Sequence, residues 1–389
     1  MASMGPAHRD GVVLLTRNFP PLWGGMERLN WNLAMQLAQR APVGIVGPEG
    51  CVRDAPAQAA VAEVPLRPLW RFLLLASWKG LAMARHTRPQ WILAGSGLTA
   101  PLAWLAARSS GARCAAYVHG LDLAVAHHLY RTVWFAALRR MDVVIANSNA
   151  SAELARGLGV GSQRLSVVHP GVDVTAHDSG ARDRFRRQHG LGDAPILLSV
   201  GRLSERKGLR EFVSQVLPDI ARRKPGVRLV VVGDVPTAAL HAKAQSIPSI
   251  EQAARAAGVG HCLLMLGRRF GEELTDAYAA ADVHVFPVRQ IPGDPEGFGM
   301  VAIEAAAQGV ATVAYATGGV VDAVEHGVSG LLVAPGDEQG FASAVERILE
   351  SPLDADSVRE FARGFAWERF GTQVWAALQA AGPDRGAAR

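Results

Sequence analysis

The chain has 389 residues, of which 49% are hydrophobic and 19% are charged, a composition that excludes disorder for the bulk of its length. This length suggests two or three domains. The formal net charge is +5, and all of the positive excess lies in residues 1–178, which carry 17 basic and 10 acidic side chains.

The first half of the chain alternates between short apolar runs and stretches with helical periodicity. Strands are predicted at 12–16, 43–46, 91–94, 114–118 and 143–146, with helices that include 26–40, 100–108 and 129–140. Buried apolar strands that alternate with helices are typical of a parallel sheet covered on both faces.

The same pattern starts again in the second half. Strands are predicted at 196–200, 227–232, 262–266, 283–286, 311–315 and 330–333, with helices at 208–220, 250–257, 271–280, 299–308 and 337–349. Pro170 and Gly171 interrupt the chain between the two patterns, so the sequence predicts two α/β units in tandem. Residues 235–249 form an insertion for which no element is predicted.

The cysteines and the apolar runs bear on the compartment. Cys51, Cys114 and Cys262 are far apart, odd in number and without a CxxC pair, which excludes a disulfide framework or zinc site and fits a reducing cytosol. Residues 1–10 lack a signal-peptide pattern, and no apolar run approaches the roughly 18–20 residues of a membrane-spanning helix. We expect a cytoplasmic protein, or one held peripherally at the cytoplasmic face of the inner membrane, with a disordered tail at 382–389.

Two features of the first half lie where strands end, which is where ligands bind in an open α/β sheet. Gly24 and Gly25 open a helix after the first strand, so a ligand can touch backbone N–H groups at the positive helix end. His119 follows the strand at 114–118. The alternatives are a plain tight turn for the glycine pair and a structural role for the histidine.

In the second half, positive charge follows the strand at 196–200. Arg202 and Lys207 lie five residues apart in a strand-to-helix loop, and Lys207 is one of only four lysines in the chain. Both side chains can reach one anion above the sheet, the arginine with a fork and the lysine as a point charge. The alternative is a pair of solvated surface charges.

Carboxylates follow the strand at 283–286. Glu296 lies in the loop, and Glu304 lies about a turn and a half into the next, mostly apolar helix, where a carboxylate needs a partner. A carboxylate that accepts two hydrogen bonds is well suited to vicinal hydroxyls. Gly297 and Gly299 leave backbone amides open at the helix start. A structural ion pair with a solvated loop glutamate is the alternative.

Taken together, these motifs resemble the large retaining family four of glycosyltransferases, from about Val12 to Phe370. Each motif is weak alone, but their order along the predicted strands is highly specific. The matching residues are Gly24-Gly25 with Glu27, His119-Gly120, Asn147-Ser148, Pro170-Gly171-Val172-Asp173, Val200-Gly201-Arg202, Lys207-Gly208, Val231-Val232-Gly233, Ala281-Asp282-Val283, Pro287, Glu296 and Glu304, Gly318-Gly319, Gly327 and Gly330-Leu331.

The resemblance implies an α/β architecture, the GT-B fold, in which two Rossmann-like parallel-sheet domains face a central cleft. The expected domains are residues 1–172 with a crossover helix at 366–380, on the acceptor side, and residues 173–365, which bind the nucleotide sugar.

The resemblance also implies roles for single residues. Its candidate catalytic residues are His119 beside the sugar, Glu296, Arg202 and Lys207. Its donor-binding residues are Gly24, Gly25, Arg202, Lys207, Gly297, Phe298, Gly299, Met300 and Glu304. Among these, Glu304 would hold the ribose hydroxyls, while Gly24 and Gly25 would lie against the distal phosphate and the acceptor.

Members of this family retain the anomeric configuration and need no metal, so we expect no cofactor besides the nucleotide sugar as co-substrate. Arg202 and Lys207 would stabilise the departing nucleoside diphosphate in place of a metal. Residues 354–356 fit the Asp-x-Asp pattern of metal-dependent transferases, but they lie far beyond the signature, and we interpret Asp354 as a helix N-cap.

Residues 19–25 and 287–295 look most like those of GDP-mannose-dependent members that act on lipid or polysaccharide acceptors. We therefore expect mannose transfer to a lipid-linked or saccharide acceptor in cell-envelope, exopolysaccharide or glycolipid synthesis. The alternative within the family is a transferase that uses UDP-glucose or UDP-N-acetylglucosamine. Rival classes are a sugar-nucleotide epimerase, which lacks the paired glutamates, a non-enzymatic anion-binding protein, and an inactive transferase, although every signature position is intact.

Basic residues interleave with aromatic ones in two stretches of the first half, 67–88 and 127–140. This pattern suits the interface of an anionic membrane. The alternative is two ordinary amphipathic helices packed on the sheet. We expect no nucleic-acid partner, because the aromatic residues form no stacking platform and Glu296 and Glu304 would repel phosphates.

Overall fold

A computed structural model describes residues 11–125, 127–174, 178–235 and 243–380. The expectations for residues 1–10 and 382–389, and for part of the insertion at 235–249, lie outside the described residues. The chain divides into two compact units, Met1–Gly171 with Trp367–Arg389, and Val172–Ala366.

The first unit is built on a parallel sheet. Its strands are β1 (Val12–Leu15), β2 (Val43–Pro48), β3 (Ala60–Val64), β4 (Trp91–Ala94), β5 (Arg113–Val118), β6 (Val143–Ala146) and β7 (Leu165–Val167). In the described residues they are ordered β3-β2-β1-β4-β5-β6-β7. The five predicted strands are confirmed, and each is an apolar run that helices cover. The sequence pattern does not predict β3, which is largely half-buried, or β7, which has three residues.

The helices of the first unit lie between these strands. They are α1 (Gly25–Ala38), α2 (Leu69–Thr87), α3 (Ala100–Ser110), α4 (His128–Leu138) and α5 (Asn149–Gly157). The predicted helices at 26–40, 100–108 and 129–140 are confirmed, with ends that differ by two residues or fewer. Their apolar faces form a core with the sheet that includes Leu15, Phe72, Ile92 and Val144.

The second unit repeats this plan. Its strands are β8 (Ile196–Val200), β9 (Arg228–Val232), β10 (Leu263–Gly267), β11 (Val283–Phe286), β12 (Thr312–Tyr315) and β13 (Gly330–Val333). All are parallel in the described residues, in the order β10-β9-β8-β11-β12-β13. Every predicted strand of this half is confirmed.

The helices of the second unit cover both faces of its sheet. They are α6 (Ala181–Gln188), α7 (Leu209–Gln215), α8 (Leu217–Arg223), α9 (Ile247–Ala256), α10 (Gly271–Ala280), α11 (Met300–Ala307), α12 (Val320–Ala323), α13 (Glu338–Glu350) and α14 (Ala355–Arg363). The prediction of one helix at 208–220 is wrong, because the chain breaks at Val216 between α7 and α8. Pro218 lies in the first turn of α8, where its missing N–H costs nothing, but it cannot sit inside a continuous helix.

A last helix, α15 (Trp367–Ala380), belongs to the first unit. It packs on α1, where Gly371 lies against Gln36 and Arg40 donates a hydrogen bond of 3.0 Å to Thr372 Oγ1. The ring of Phe370 contacts that of Tyr117 at the edge, with centroids 6.0 Å apart.

Three other predictions can be checked directly. Asp354 accepts a hydrogen bond of 2.9 Å from the Ser357 amide, so its interpretation as an N-cap is confirmed. Cys51, Cys114 and Cys262 are buried and form no disulfide. Among the described helices, none combines the length and the apolar character needed to cross a bilayer.

In each sheet the strand order reverses beside its first strand. β1 lies between β2 and β4, and β8 lies between β9 and β11. In open α/β sheets, ligands bind beyond the carboxyl ends of the strands at such a reversal. The loops after β8 and β11, and after β1 and β4, are therefore where a site is expected.

Candidate functional site

Arg202 and Lys207 both follow β8, in the loop that leads to α7. Arg202 is exposed and makes no hydrogen bond or ion pair with any residue that the structure describes. Lys207 is more enclosed, with 15% of its side chain exposed, and its Nζ lies 4.5 Å from the centre of the Phe286 ring. Both line one small pocket with Gly201 and Pro287. The structure therefore brings the two cations together at the carboxyl end of β8.

Lys207 is paired with Glu296, the loop carboxylate that follows β11. Its Nζ lies 2.9 Å from Glu296 Oε2, and only 10% of the Glu296 side chain is exposed. Burial raises the pKa of Glu296, but the charges of Lys207 and Arg206 outweigh it and hold that pKa at about 2. Glu296 is therefore an ionised acceptor held beside the pocket.

The start of α11 lies next to this pair. Gly299 caps the helix with a φ of 101°, which other residues rarely adopt, and a Cβ there would lie 2.8 Å from the Phe286 ring. The first amides of a helix have no acceptor within it, so Met300 and its neighbours can donate to a ligand.

The loop after β12 supports this segment from behind. The Gly319 amide donates a hydrogen bond of 2.9 Å to the Glu296 carbonyl, and a Cβ at Gly319 would overlap the Gly297 carbonyl oxygen. The glycine pair 318–319 therefore permits a close approach of two backbones. The amide of Gly319 is engaged within the protein rather than open to a ligand.

Glu304, in the second turn of α11, has the partner that its apolar helix requires. The hydroxyl of Tyr278, a buried residue of α10, donates a hydrogen bond of 2.9 Å to Glu304 Oε2. This contact fixes the direction in which the carboxylate points.

A buried histidine lies beside Tyr278, with ring centroids 6.0 Å apart. His284, in β11, is fully buried, with Nδ1 3.0 Å from Thr312 Oγ1 and its ring stacked on Phe286. Burial, and then the charge of Lys207, lower the pKa of His284 to about 3. The folded protein therefore holds this histidine neutral at pH values where the unfolded chain takes up a proton.

This difference makes stability depend on pH. Below about pH 6.5, the usual histidine pKa, the unfolded state binds a proton that the folded state refuses, so His284 lowers the free energy of unfolding by about 1.4 kcal/mol per pH unit, down to the folded pKa. We expect His284→Asn, which can keep the bond to Thr312, to show a shallower loss of stability in urea unfolding between about pH 6 and about pH 4.5. The exposed His86→Asn is the control, and equal slopes for His284→Asn and wild type would contradict this origin.

In the first unit, the glycine turn opens α1 as predicted. A Cβ at Gly24 would overlap Glu27 Oε2, and Asn18 holds the other oxygen of Glu27 with a hydrogen bond of 2.6 Å. The turn therefore carries a fixed negative charge beside its open amides.

His119 follows β5 and is buried. Its Nε2 lies 2.9 Å from the Gly95 carbonyl oxygen, which can only accept, so Nε2 carries the proton and Nδ1 is the ring nitrogen left for a ligand. Asp122 ties the same loops together, because it accepts hydrogen bonds from the amides of His119 at 3.0 Å and Gly97 at 2.6 Å.

Four side chains around these positions escape the sequence analysis, namely Arg206, Tyr278, Asp122 and His284. Arg206 directly precedes Lys207, and Asp122 lies three residues after His119, so proximity to a motif was a usable signal for both. Tyr278 and His284 occupy ordinary core positions of a helix and a strand. Only the hydrogen bond from Tyr278 to Glu304, and the effect of Lys207 on the pKa of His284, mark these two residues.

Comparisons with known proteins decide the family. The family model for Glycosyltransferase Family 4 matches residues 23–176, and that for Glycosyl transferases group 1 matches residues 194–351. A GDP-mannose-dependent alpha-(1-6)-phosphatidylinositol monomannoside mannosyltransferase from Mycolicibacterium smegmatis is 30% identical over 383 residues, 94% of each chain. The chain belongs to glycosyltransferase family 4.

Other comparisons agree. A D-inositol 3-phosphate glycosyltransferase from Geodermatophilus obscurus is 36% identical over 253 residues, and the match spans 64% of this chain but only 54% of that relative's length. Among solved structures, HepE from Anabaena in complex with UDP matches with a TM-score of 0.77 and 21% identity, over 95% of this chain and all of that one. This likeness concerns the fold, and the two Rossmann-like parallel-sheet domains of this family-4 glycosyltransferase are those expected of GT-B.

Proposed function

We propose that this glycosyltransferase transfers mannose from GDP-mannose to a lipid-linked or saccharide acceptor, with retention of anomeric configuration. The proposal of a nucleotide-sugar donor rests on one observation. The enclosed pair of Lys207 and Glu296 lies beside the exposed Arg202, at the strand reversal of the second unit. The choice of mannose is supported by the relative from Mycolicibacterium smegmatis, which is similar over 94% of its length.

In the proposed complex, the cations and carboxylates divide the donor between them. Arg202 and Lys207 bind the diphosphate, and Glu304, oriented by Tyr278, accepts hydrogen bonds from the ribose hydroxyls. Glu296 and the backbone from Gly297 to Met300 orient the sugar. Burial of the Lys207–Glu296 pair supports this division, because charges in an enclosed site act strongly on a bound substrate.

The proposed reaction breaks the bond between the anomeric carbon and the leaving phosphate oxygen. The acceptor hydroxyl oxygen forms its bond to the same face of that carbon, and its proton passes to the departing phosphate. Arg202 and Lys207 stabilise the negative charge of the nucleoside diphosphate, and no metal is required in this proposal. We propose that His119, through Nδ1, is a contact of the transferred sugar.

In the first unit, the Gly24-Gly25 turn is proposed to contact the acceptor as well as the distal phosphate. The fixed charge of Glu27 beside Gly24 supports the acceptor contact, because a carboxylate accepts hydrogen bonds from hydroxyl groups. The backbone N–H groups at the helix start would bind the phosphate.

The donor is tested by turnover. Purified protein is incubated with GDP-mannose, UDP-glucose or UDP-N-acetylglucosamine, and release of the nucleoside diphosphate is measured with and without a chelator. We expect release from GDP-mannose that the chelator does not reduce. Turnover with a UDP donor and none with GDP-mannose would overturn the assignment of mannose, but the proposal that the protein is a glycosyltransferase would stand.

We also propose that the protein is held at the cytoplasmic face of an anionic membrane by α2, and not by α4. Trp70, Leu74 and Trp78 follow one another at four-residue spacing on α2 and are 64%, 63% and 66% exposed. Exposed Arg71 and Arg85 lie on the same side of the helix, and α2 contains no acidic residue. These features complement an anionic lipid surface.

The stretch around α4 packs inward instead. Trp134 donates a hydrogen bond of 2.8 Å to the Leu98 carbonyl and stacks on Tyr130, and Phe135 is buried. Of the two stretches predicted from the sequence to meet a membrane, the one at 127–140 therefore presents few aromatic side chains to a lipid surface.

We expect the double variant Trp70→Ser/Trp78→Ser to lose sedimentation with vesicles of anionic lipid. Each of Arg71→Gln and Arg85→Gln should weaken binding by about 1 kcal/mol, roughly fivefold, in low salt. Phe270→Ser, which removes a half-exposed aromatic residue of the second unit, is the control. Binding that is absent in the wild type, or insensitive to salt and to these changes, would remove the membrane proposal.

A further inference from the structure

The loop between β11 and α11 has no regular structure, yet it carries Glu296. Residues 287–299 contain neither helix nor strand, and Pro292 and Gly293 at its tip are exposed. Such a segment takes its shape from contacts with the rest of the protein, since it has no backbone ladder of its own. The position of the Glu296 carboxylate therefore depends on what holds this loop.

Arg206 holds the end of the loop. This arginine lies just before Lys207, and only 9% of its side chain is exposed. Its guanidinium donates hydrogen bonds of 2.8 Å to Asp294 Oδ1 and 2.8 Å to the Pro295 carbonyl oxygen, and its Nε lies 3.3 Å from Glu296 Oε2. One side chain thus contacts three consecutive residues of the loop.

The backbone of Arg206 holds the start of the same loop. Its carbonyl accepts a hydrogen bond of 2.8 Å from the Arg289 amide. The Arg289 side chain lies 3.3 Å from Glu211 and 3.7 Å from Glu205, which come from α7 and from the turn that contains Arg206. Both ends of the loop are therefore fixed to the segment that also carries Lys207.

We propose that Arg206 is a positioning residue for the donor sugar: it holds the loop that ends in Glu296 so that this carboxylate meets the sugar hydroxyls. The inference rests on the proposed role of Glu296 in orienting the donor sugar. A planar guanidinium can bridge the three loop residues at once, whereas a lysine at this position offers a single point of charge. Because Lys207 is next in the chain, one short turn fixes the position of the phosphate-binding Lys207 relative to the sugar-binding Glu296.

A purely structural ion pair would have a different signature. Its loss would lower the melting temperature and leave kcat/KM and sugar discrimination of the folded protein unchanged. A positioning residue instead changes how the sugar is held and leaves the nucleotide contacts of Arg202 and Glu304 in place. The test must therefore separate binding of the nucleotide from recognition of the sugar.

The variants are Arg206→Met and Arg206→Lys, with Arg223→Met as a matched control. Arg223 also forms an ion pair in the second unit, 2.9 Å from Glu346, but it lies away from the loop on α8. For each protein we would measure the melting temperature, the Kd of the nucleoside diphosphate, and kcat/KM for two donors that share a nucleotide and differ in the sugar.

For Arg206→Met we expect kcat/KM for the preferred donor to fall about 100-fold, and for Arg206→Lys about 10-fold, because a small displacement of Glu296 misplaces the reacting sugar. The ratio of kcat/KM between the two sugars should shrink by about tenfold, while the Kd of the nucleoside diphosphate stays within about twofold. Arg223→Met should change only the melting temperature.

Asp294→Asn provides a second way into the same contact. It removes the charge that Arg206 binds and keeps the shape of the side chain, so it should also shrink the ratio of kcat/KM between the two sugars. This variant keeps the proposal testable if the Arg206 variants do not fold. Unchanged sugar discrimination in all folded variants, or a parallel loss of nucleoside diphosphate binding and transfer, would overturn the proposal. Wild-type turnover with a UDP donor alone would overturn only the mannose assignment, because the two donors would then be chosen from UDP sugars.

Discussion

Lys207→Ala is expected to lower kcat by about 10³-fold, since one preorganised charge or donor at a developing anion is worth about 3–4 kcal/mol. Lys207 lines a small pocket at the carboxyl end of β8, and only 15% of its side chain is exposed, so solvent screens its charge less than that of a surface lysine. In the proposed mechanism, its loss leaves Arg202 alone to stabilise the departing diphosphate.

The fold should survive this change. Glu296 keeps a cationic neighbour, because Arg206 Nε lies 3.3 Å from its Oε2, so no isolated buried charge is created. We therefore expect a large fall in kcat, measured at saturating donor. The melting temperature, measured without donor, should fall only modestly.

Lys224→Ala is the matched control for this experiment. Lys224 is another lysine of the second unit, paired with Glu350 at 2.6 Å and a quarter exposed, and it lies at the end of α8 away from the site. It should alter kcat by less than about twofold. Normal turnover by Lys207→Ala would refute the proposed role of that lysine in stabilising the leaving group.

Glu304→Gln is expected to raise the KM for the donor about 100-fold with a much smaller change in kcat. A carboxylate that accepts two hydrogen bonds from ribose hydroxyls contributes about 3 kcal/mol, and this contribution is the same in the ground state and the transition state because the ribose does not react. Glutamine retains the size of the side chain and can still accept from the Tyr278 hydroxyl.

Tyr278→Phe should produce a smaller change of the same kind, about tenfold in KM, because it removes the hydrogen bond that fixes the carboxylate but leaves the charge. Glu346→Gln, on α13, removes a carboxylate from an ion pair elsewhere in the unit and should leave KM unchanged. Equal losses in kcat and kcat/KM for Glu304→Gln would assign this residue to the reacting end of the donor instead.

The parts of the fold that the sequence predicts are those governed by local pattern. Apolar runs such as 91–94 and 143–146 become strands because a sheet covered on both faces buries every side chain of a short strand. Gly299 and Gly319 lie where only glycine permits a close approach of neighbouring atoms, so the residue type itself indicates such an approach in the sequence.

What the sequence does not predict depends on pairs of residues that are distant in the chain. Arg206 and Asp294 are separated by 88 positions, and no local sequence pattern around either residue predicts their contact. The bond between Tyr278 and Glu304 joins two helices in the same way. The two basic, aromatic stretches look alike in sequence, and only packing separates exposed Trp78 from Trp134, whose indole is bound to Leu98.

The course of the chain also has a consequence for gene design. The second unit is one continuous segment, Val172–Ala366, whereas the first unit is completed only when α15 returns to it. Gly171 and Trp367 lie in contact with each other, so the two cut ends of the first unit meet. In topological terms the second unit is inserted into the sequence of the first unit. A linker of a few residues between Gly171 and Trp367 should therefore suffice to make the first unit a single, separately expressible polypeptide.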